Sequence, residues 1–221
     1  MRQHTAKIND IVSALVSGNN DFLQDRSDDY FKGQCHRQHP FITMVTCSDS
    51  RVHPQVVMPD AIDKIFTIKN IGNQLGTSLG SVDYGIMHLK TPLLLILGHT
   101  CCGAIGAFLS GYENEPDTIR QELDRLRPAL ENIALAPPSD DTLLEGTLLN
   151  IEFQVAEAVN RYRPLVEDHK LTVMGAVYDI SNQLGNGHGC LTFTAINNGS
   201  DVAGIHAFEF GHNVLMRRSV Q

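Results

Sequence analysis

A short apolar run, Leu93-Leu94-Leu95-Ile96-Leu97, gives way at once to Gly98-His99-Thr100-Cys101-Cys102-Gly103. The run suits a buried strand and is far too short to span a bilayer. A helix is expected from Cys102 to Ser110, with Gly111 stopping it. This strand, turn and helix make half of a parallel βα unit, and the turn carries an imidazole and two thiols.

The same pattern recurs on both sides. Phe41 to Thr46 reads as a strand leading into Cys47-Ser48-Asp49-Ser50-Arg51, and Lys64 to Lys69 alternates as a second strand before the turn Asn70-Ile71-Gly72-Asn73. A helix is predicted over 78–90 with Ser78 as its cap, another over 116–136, a break at 137–140, and a long helix over 141–162. Leu171 to Tyr178 is a fourth strand, 185–189 a glycine turn, and Cys190 to Ile196 a fifth strand able to run antiparallel. Toward the N-terminus, residues 5–25 space Ile8, Ile11, Val12, Leu15, Val16 and Leu23 as an amphipathic helix, and 26–40 read as a polar loop. The expected fold class is α/β. It has a mostly parallel central sheet of four strands plus an antiparallel edge strand, helices on both faces and an N-terminal helical arm. The expected organisation is a single domain, 1–221, in which 1–35 form an arm packing on a partner subunit.

Composition narrows the function. Hydrophobic residues make up 42% and charged residues 19% of 221, ordinary for a soluble domain with a sizeable core. A formal net charge of -8 and no basic run argue against nucleic acid or a membrane surface as partner. The first residues hold no unbroken apolar segment of a secretory signal, so the expected location is cytoplasmic. Five cysteines, an odd number in a chain this long, fit metal binding in a reducing compartment better than a disulfide framework.

The chemistry gathers at two strand ends, where sites form in parallel sheets. Cys47, His99 and Cys102 offer two thiolates and one ring nitrogen, three donors with one position left open, the arrangement of a catalytic zinc. His99 and Cys102 are three apart in a turn entering a helix, so both can face one ion. Asp49 and Arg51 are two apart, and an extended segment puts them on one face as a bidentate pair. Cys101 is expected to point elsewhere. The pairs Cys35–His36 and His188–Cys190 each offer too few donors for a second centre. Two thiolates neutralise the ion's charge, so activity is expected to rise with pH and to be weak below neutrality.

These residues resemble a known family. CSDSRV at 47–52, NIGN at 70–73, GHTCCG at 98–103 and VMGAVYD at 173–179 are similar, in order and spacing, to the β-class carbonic anhydrases, over about 38–196. The resemblance implies an enzyme, a zinc lyase. It would reversibly hydrate carbon dioxide to bicarbonate and a proton by zinc-bound hydroxide, with one Zn2+ per subunit on Cys47, His99 and Cys102. It implies an Asp49–Arg51 dyad in which the Arg keeps the Asp off the metal. It implies substrate contacts from Gln38, Tyr84 and Gly103, the first two placing the chain near the plant-type branch. It implies a homo-oligomer, dimer or higher, with pocket residues supplied across the interface. Met44 stands where some bacterial members carry the Trp of an allosteric bicarbonate site, and Lys69 matches an Arg of that site. Two alternatives use the same ligands: a hydrolase of carbonyl sulfide or carbon disulfide, and a zinc protein permanently closed by Asp49.

Overall fold

Strands β1 (Ile42–Cys47), β2 (Ile65–Asn70), β3 (Leu93–His99), β4 (Thr172–Asp179) and β5 (Cys190–Ile196) form one sheet in the order β2-β1-β3-β4-β5. The first four run parallel and β5 runs antiparallel on β4, as the alternation of strand and helix in the sequence leads one to expect. The structure is a computed structural model and describes residues 2–133 and 138–197, with side chains from Lys7 onward. It divides into two compact units, Met1–His39 and Pro40–Gln221.

The first unit holds helices α1 (Arg2–Gln24) and α2 (Asp28–Gln34). The apolar stripe of α1, from Ile8 to Leu23, is exposed. α2 falls where a loop was expected. Ser27 caps it by accepting from the Tyr30 amide at 3.4 Å, and Asp28 and Asp29 sit in its first turn, where the helix dipole favours carboxylates.

The second unit adds α3 (Leu79–Asp83), α4 (Gly103–Ser110), α5 (Asp117–Asp124), α6 (Arg127–Leu130), α7 (Asp140–Arg161) and α8 (Arg163–Glu167). Three helical expectations need correction. α3 passes into a π-helical turn, Tyr84–His88, whose end is marked by the Leu89 amide reaching back to the Tyr84 carbonyl at 2.9 Å. Ser78 does not cap it; its hydroxyl accepts from Asn70 Nδ2 at 3.1 Å. The helix expected over 116–136 breaks into α5 and α6. Pro128 has no amide to continue the first helix but suits the first turn of a second. The end of that expectation, 134–136, lies outside the described residues.

One face of the sheet is covered by α7 and the α3 segment. Ile151 and Val155 of α7 and Val82 and Ile86 of the α3 segment join Val45, Ile96, Val173 and Val177 in one core cluster. Ile151 fits between two glycines. A Cβ on Gly98 would lie 2.7 Å from its Cδ1, and one on Gly175 2.6 Å from its Cγ2. On the other face, Ile42, Met44, Leu95, Leu97 and Met174 pack with Val52, Val56 and Met58 from the segment after β1. A third cluster closes over the carboxyl ends of the strands. There Ile105, Phe108, Leu123, Leu126 and Leu130 of the α4–α6 region surround Cys47 and Cys102. Each fully buried Leu or Ile contributes about 1.5–3 kcal/mol. No helix among the described residues is long and apolar enough to cross a membrane.

Candidate metal centre

Cys47 is the last residue of β1 and His99 the last of β3, two neighbouring parallel strands. Cys102 caps α4 from an extended backbone, and Cys101 before it takes a left-handed φ of 57° that turns the chain between His99 and the helix. The two sulfurs and the imidazole come within 4.8 Å of one another, and all three residues are buried. Among the described residues this is the one such group of His, Cys or carboxylate donors. Cys35–His36 and His188–Cys190 gather no third ligand among the described residues.

The hydrogen bonds of His99 leave a lone pair at the centre. Its Nδ1 donates to the Thr100 carbonyl at 3.0 Å, since a carbonyl can only accept. Nε2 is therefore bare, and it is buried with no hydrogen-bond partner. An unpartnered ring nitrogen in a closed site is costly unless it binds something. A backbone carbonyl on the opposite nitrogen is the usual orienting partner of a metal-binding histidine. The sulfurs tell the same story. The Cys102 thiol donating to Cys47 is the main influence drawing that sulfur's pKa down to about 4; the backbone at Asp49 and Gly72 adds to it against burial. The same bond, then burial and the neighbouring thiolate's charge, push Cys102 up. The pair thus holds one proton, and both sulfurs ionise together only around a cation. Two thiolates and an imidazole are a donor set for zinc, and the residues fit it.

Asp49 lies beside the donors, its Oδ2 3.9 Å from His99 Nε2. Arg51 grips it with Nε to Oδ1 at 3.0 Å, Nη2 to Oδ2 at 2.7 Å and the backbone amide to Oδ1 at 2.9 Å. The guanidinium holds the Asp49 carboxyl well below the usual carboxylate range. Arg51 Nη2 also donates to the Cys101 carbonyl at 3.1 Å, tying the two sequence blocks together. Sequence reasoning missed the part played by Lys69. Its Nζ donates to the Asp49 carbonyl at 3.2 Å and the Val52 carbonyl at 2.5 Å, fastening the turn that carries the pair. The signal available was its position: Lys69 is the register partner of Thr46, the residue before Cys47.

Gly103 opens α4, where the first amides of a helix have no intrahelical partner. Tyr84 is not brought among the donors of its own chain. Its exposed ring stacks on His88 at 4.5 Å and Phe66 at 5.8 Å. Phe66 is opposite Thr43, four residues before Cys47 and so about 13 Å down the strand. Gln38 belongs to the first unit, where it is exposed.

Comparison with known proteins agrees with this geometry. The family model described as carbonic anhydrase matches residues 42–186. The chain is 28% identical over 127 residues to carbonic anhydrase 2 of Mycobacterium tuberculosis, covering 53% of this chain and 61% of that one. It is 32% identical over 171 residues to the carbonic anhydrase of Synechococcus elongatus, covering 70% of this chain and 62% of that one. The matched part thus spans about three fifths of these relatives' length. One of two tetrameric β-carbonic anhydrases from Sordaria macrospora superposes with a TM-score of 0.72 at 21% identity, covering 84% of this chain and 96% of that one. This chain belongs to the carbonic anhydrase family and has the fold of its β class.

Proposed function

We propose that the protein is a zinc-dependent carbonic anhydrase, hydrating carbon dioxide reversibly to bicarbonate and a proton. The observation that carries this reading is the bare, buried Nε2 of His99 facing two thiols, with an ionised carboxylate alongside. Zinc held by Cys47, His99 and Cys102 would bring the pKa of a water molecule from about 15.7 toward about 7, making a nucleophile at neutral pH.

The remaining tasks fall to the chain. Asp49 is the hydrogen-bond acceptor that orients the nucleophile. Arg51 keeps that carboxylate ionised and turned from the donors, since both of its oxygens are engaged by the guanidinium, and Lys69 fastens the turn that carries it. This grip favours an open site over one closed by Asp49. The amide of Gly103 offers a donor to a substrate oxygen. The apolar cluster around Cys47 and Cys102 limits the water that reaches the ligands. Gln38 and Tyr84 serve the pocket of a neighbouring subunit in a homo-oligomer, dimer or higher, with the N-terminal helices as the arm. Five cysteines, none in a disulfide, fit a cytoplasmic location.

Metal content after dialysis and stopped-flow hydration of carbon dioxide, measured on one preparation, test the reading. One zinc per chain with turnover that rises with pH is expected. Protein that neither carries nor takes up zinc, or that is fully loaded yet inert toward carbon dioxide, overturns it.

A further inference from the structure

The α7 helix presents Thr147, Asn150, Ile151 and Gln154 along one buried face. Three of these are polar, an expensive choice for a helix against a sheet unless each is satisfied. Thr147 donates to the Leu143 carbonyl at 2.9 Å within the helix, and the other two are satisfied by the loop that follows β2. Asn150 Nδ2 donates to the Gly72 carbonyl at 2.9 Å. Gln154 Oε1 accepts from the Leu75 amide at 2.8 Å, and Gln154 Nε2 donates to Asn150 Oδ1 at 3.1 Å. The two side chains thus form one clamp with a grip at each end of residues 72–75. Asn150 is 1% exposed and Gln154 3%, so water does not substitute for either bond.

The clamped loop touches the metal centre. Asn70 is the register partner of Cys47, and the Ser48 amide donates to the Asn70 carbonyl at 2.8 Å. Two residues further on, the Gly72 backbone is one of the smaller influences that lower the Cys47 pKa. Gly72 has φ of +77°, a conformation open to glycine. Asn70 and Gln74 brace the loop from within, Asn70 Nδ2 donating to the Gln74 carbonyl at 2.7 Å and the Gln74 amide to Asn70 Oδ1 at 2.7 Å, while the group in contact with the Gly72 carbonyl is Asn150.

We infer that Asn150 is a positioning residue for the metal centre: by fixing the Gly72 carbonyl it holds the loop that pairs with Cys47 and Ser48, and so sets the surroundings of the Cys47 sulfur and how much charge it gives the ion. This rests on the reading that Cys47 is a ligand. An amide hydrogen bond withdraws electron density from a thiolate, and outer partners of this kind tune metal sites. Gln154 acts one step further out, by orienting Asn150.

The test uses the full chain loaded with Co2+, read by the thiolate-to-cobalt charge-transfer bands, and the zinc form, read by the half-time of release to a colorimetric chelator. Asn150→Ala is expected to move the bands to lower energy and to shorten the half-time about tenfold or more. Gln154→Met moves both in the same direction by less. Ile151→Val, on the same face between them but with no hydrogen bond to the loop to lose, moves neither. Unchanged bands and half-time in Asn150→Ala, or equal changes in Ile151→Val, overturn the inference. If Asn150→Ala does not fold, Gln154→Met decides by the same criteria. Unmodified protein that takes up neither ion overturns the ligand reading, and this inference with it.

Discussion

Asp49 shows how much of the site was readable from local spacing. A two-residue separation after a strand predicts a shared face, and the structure has the bidentate pair with Arg51. Its folded pKa is depressed, so its contribution to stability is present above the unfolded value near 3.9 and is lost only as pH falls through the folded one. The pair therefore stays intact across neutral and alkaline pH, and a rise of activity there does not report Asp49. Asp49→Ala is expected to retain stoichiometric zinc while hydration falls about 100-fold or more, the scale of a lost proton-handling group. Full turnover in the zinc-loaded variant would take Asp49 out of the mechanism. Cys47, His99 and Cys102 were legible for the same reason, since each stands beside an apolar run that marks a strand end. The Thr100 carbonyl on His99 and the Lys69 grip on the Asp49 turn were not legible. Each is a contact with a backbone oxygen, which leaves no mark on residue type.

At the scale of elements, the strands were read nearly to the residue because continuous apolar runs have few other uses. Helices were read unevenly: the one expected over 116–136 breaks into α5 and α6, whereas the bounds of α7 were read to within a residue. Its length was evident, but its buried face mixes Ile151 and Val155 with Thr147, Asn150 and Gln154, which blurs the apolar periodicity. That face is decided by tertiary partners: two glycines on neighbouring strands for Ile151 and a distant loop for the amides. The glycines make a sharp prediction. Ile151 is fully buried between Gly98 and Gly175, so it cannot retreat from a methyl group added on either side. Gly175→Ala is expected to lower stability by about 1–3 kcal/mol, seen as a lower denaturant midpoint with an unchanged slope. An unchanged midpoint would mean that α7 does not sit this closely on β4.

At the scale of the whole molecule, two observations point outward from the single chain. α1 is about 35 Å long and leaves Ile8, Ile11, Val12, Leu15, Val16 and Leu23 in solvent on one stripe. Tyr84 stands well away from the donors of its own chain. A stripe of that length is an interaction surface by its chemistry, and in the homo-oligomer proposed above a second copy would cover it and bring pocket residues to the metal. The native protein is therefore expected at twice 24.4 kDa or more by light scattering. Leu15→Glu puts a charge at the most exposed position of the stripe and is expected to shift the mass toward one chain. Because the three donors belong to one chain, the separated variant should keep its zinc. If Gln38 and Tyr84 serve the neighbour as proposed, it should lose most of its hydration activity. A single-chain mass for unmodified, fully active protein would rule out the shared pocket, and a dissociated variant with full turnover would leave assembly without a part in catalysis.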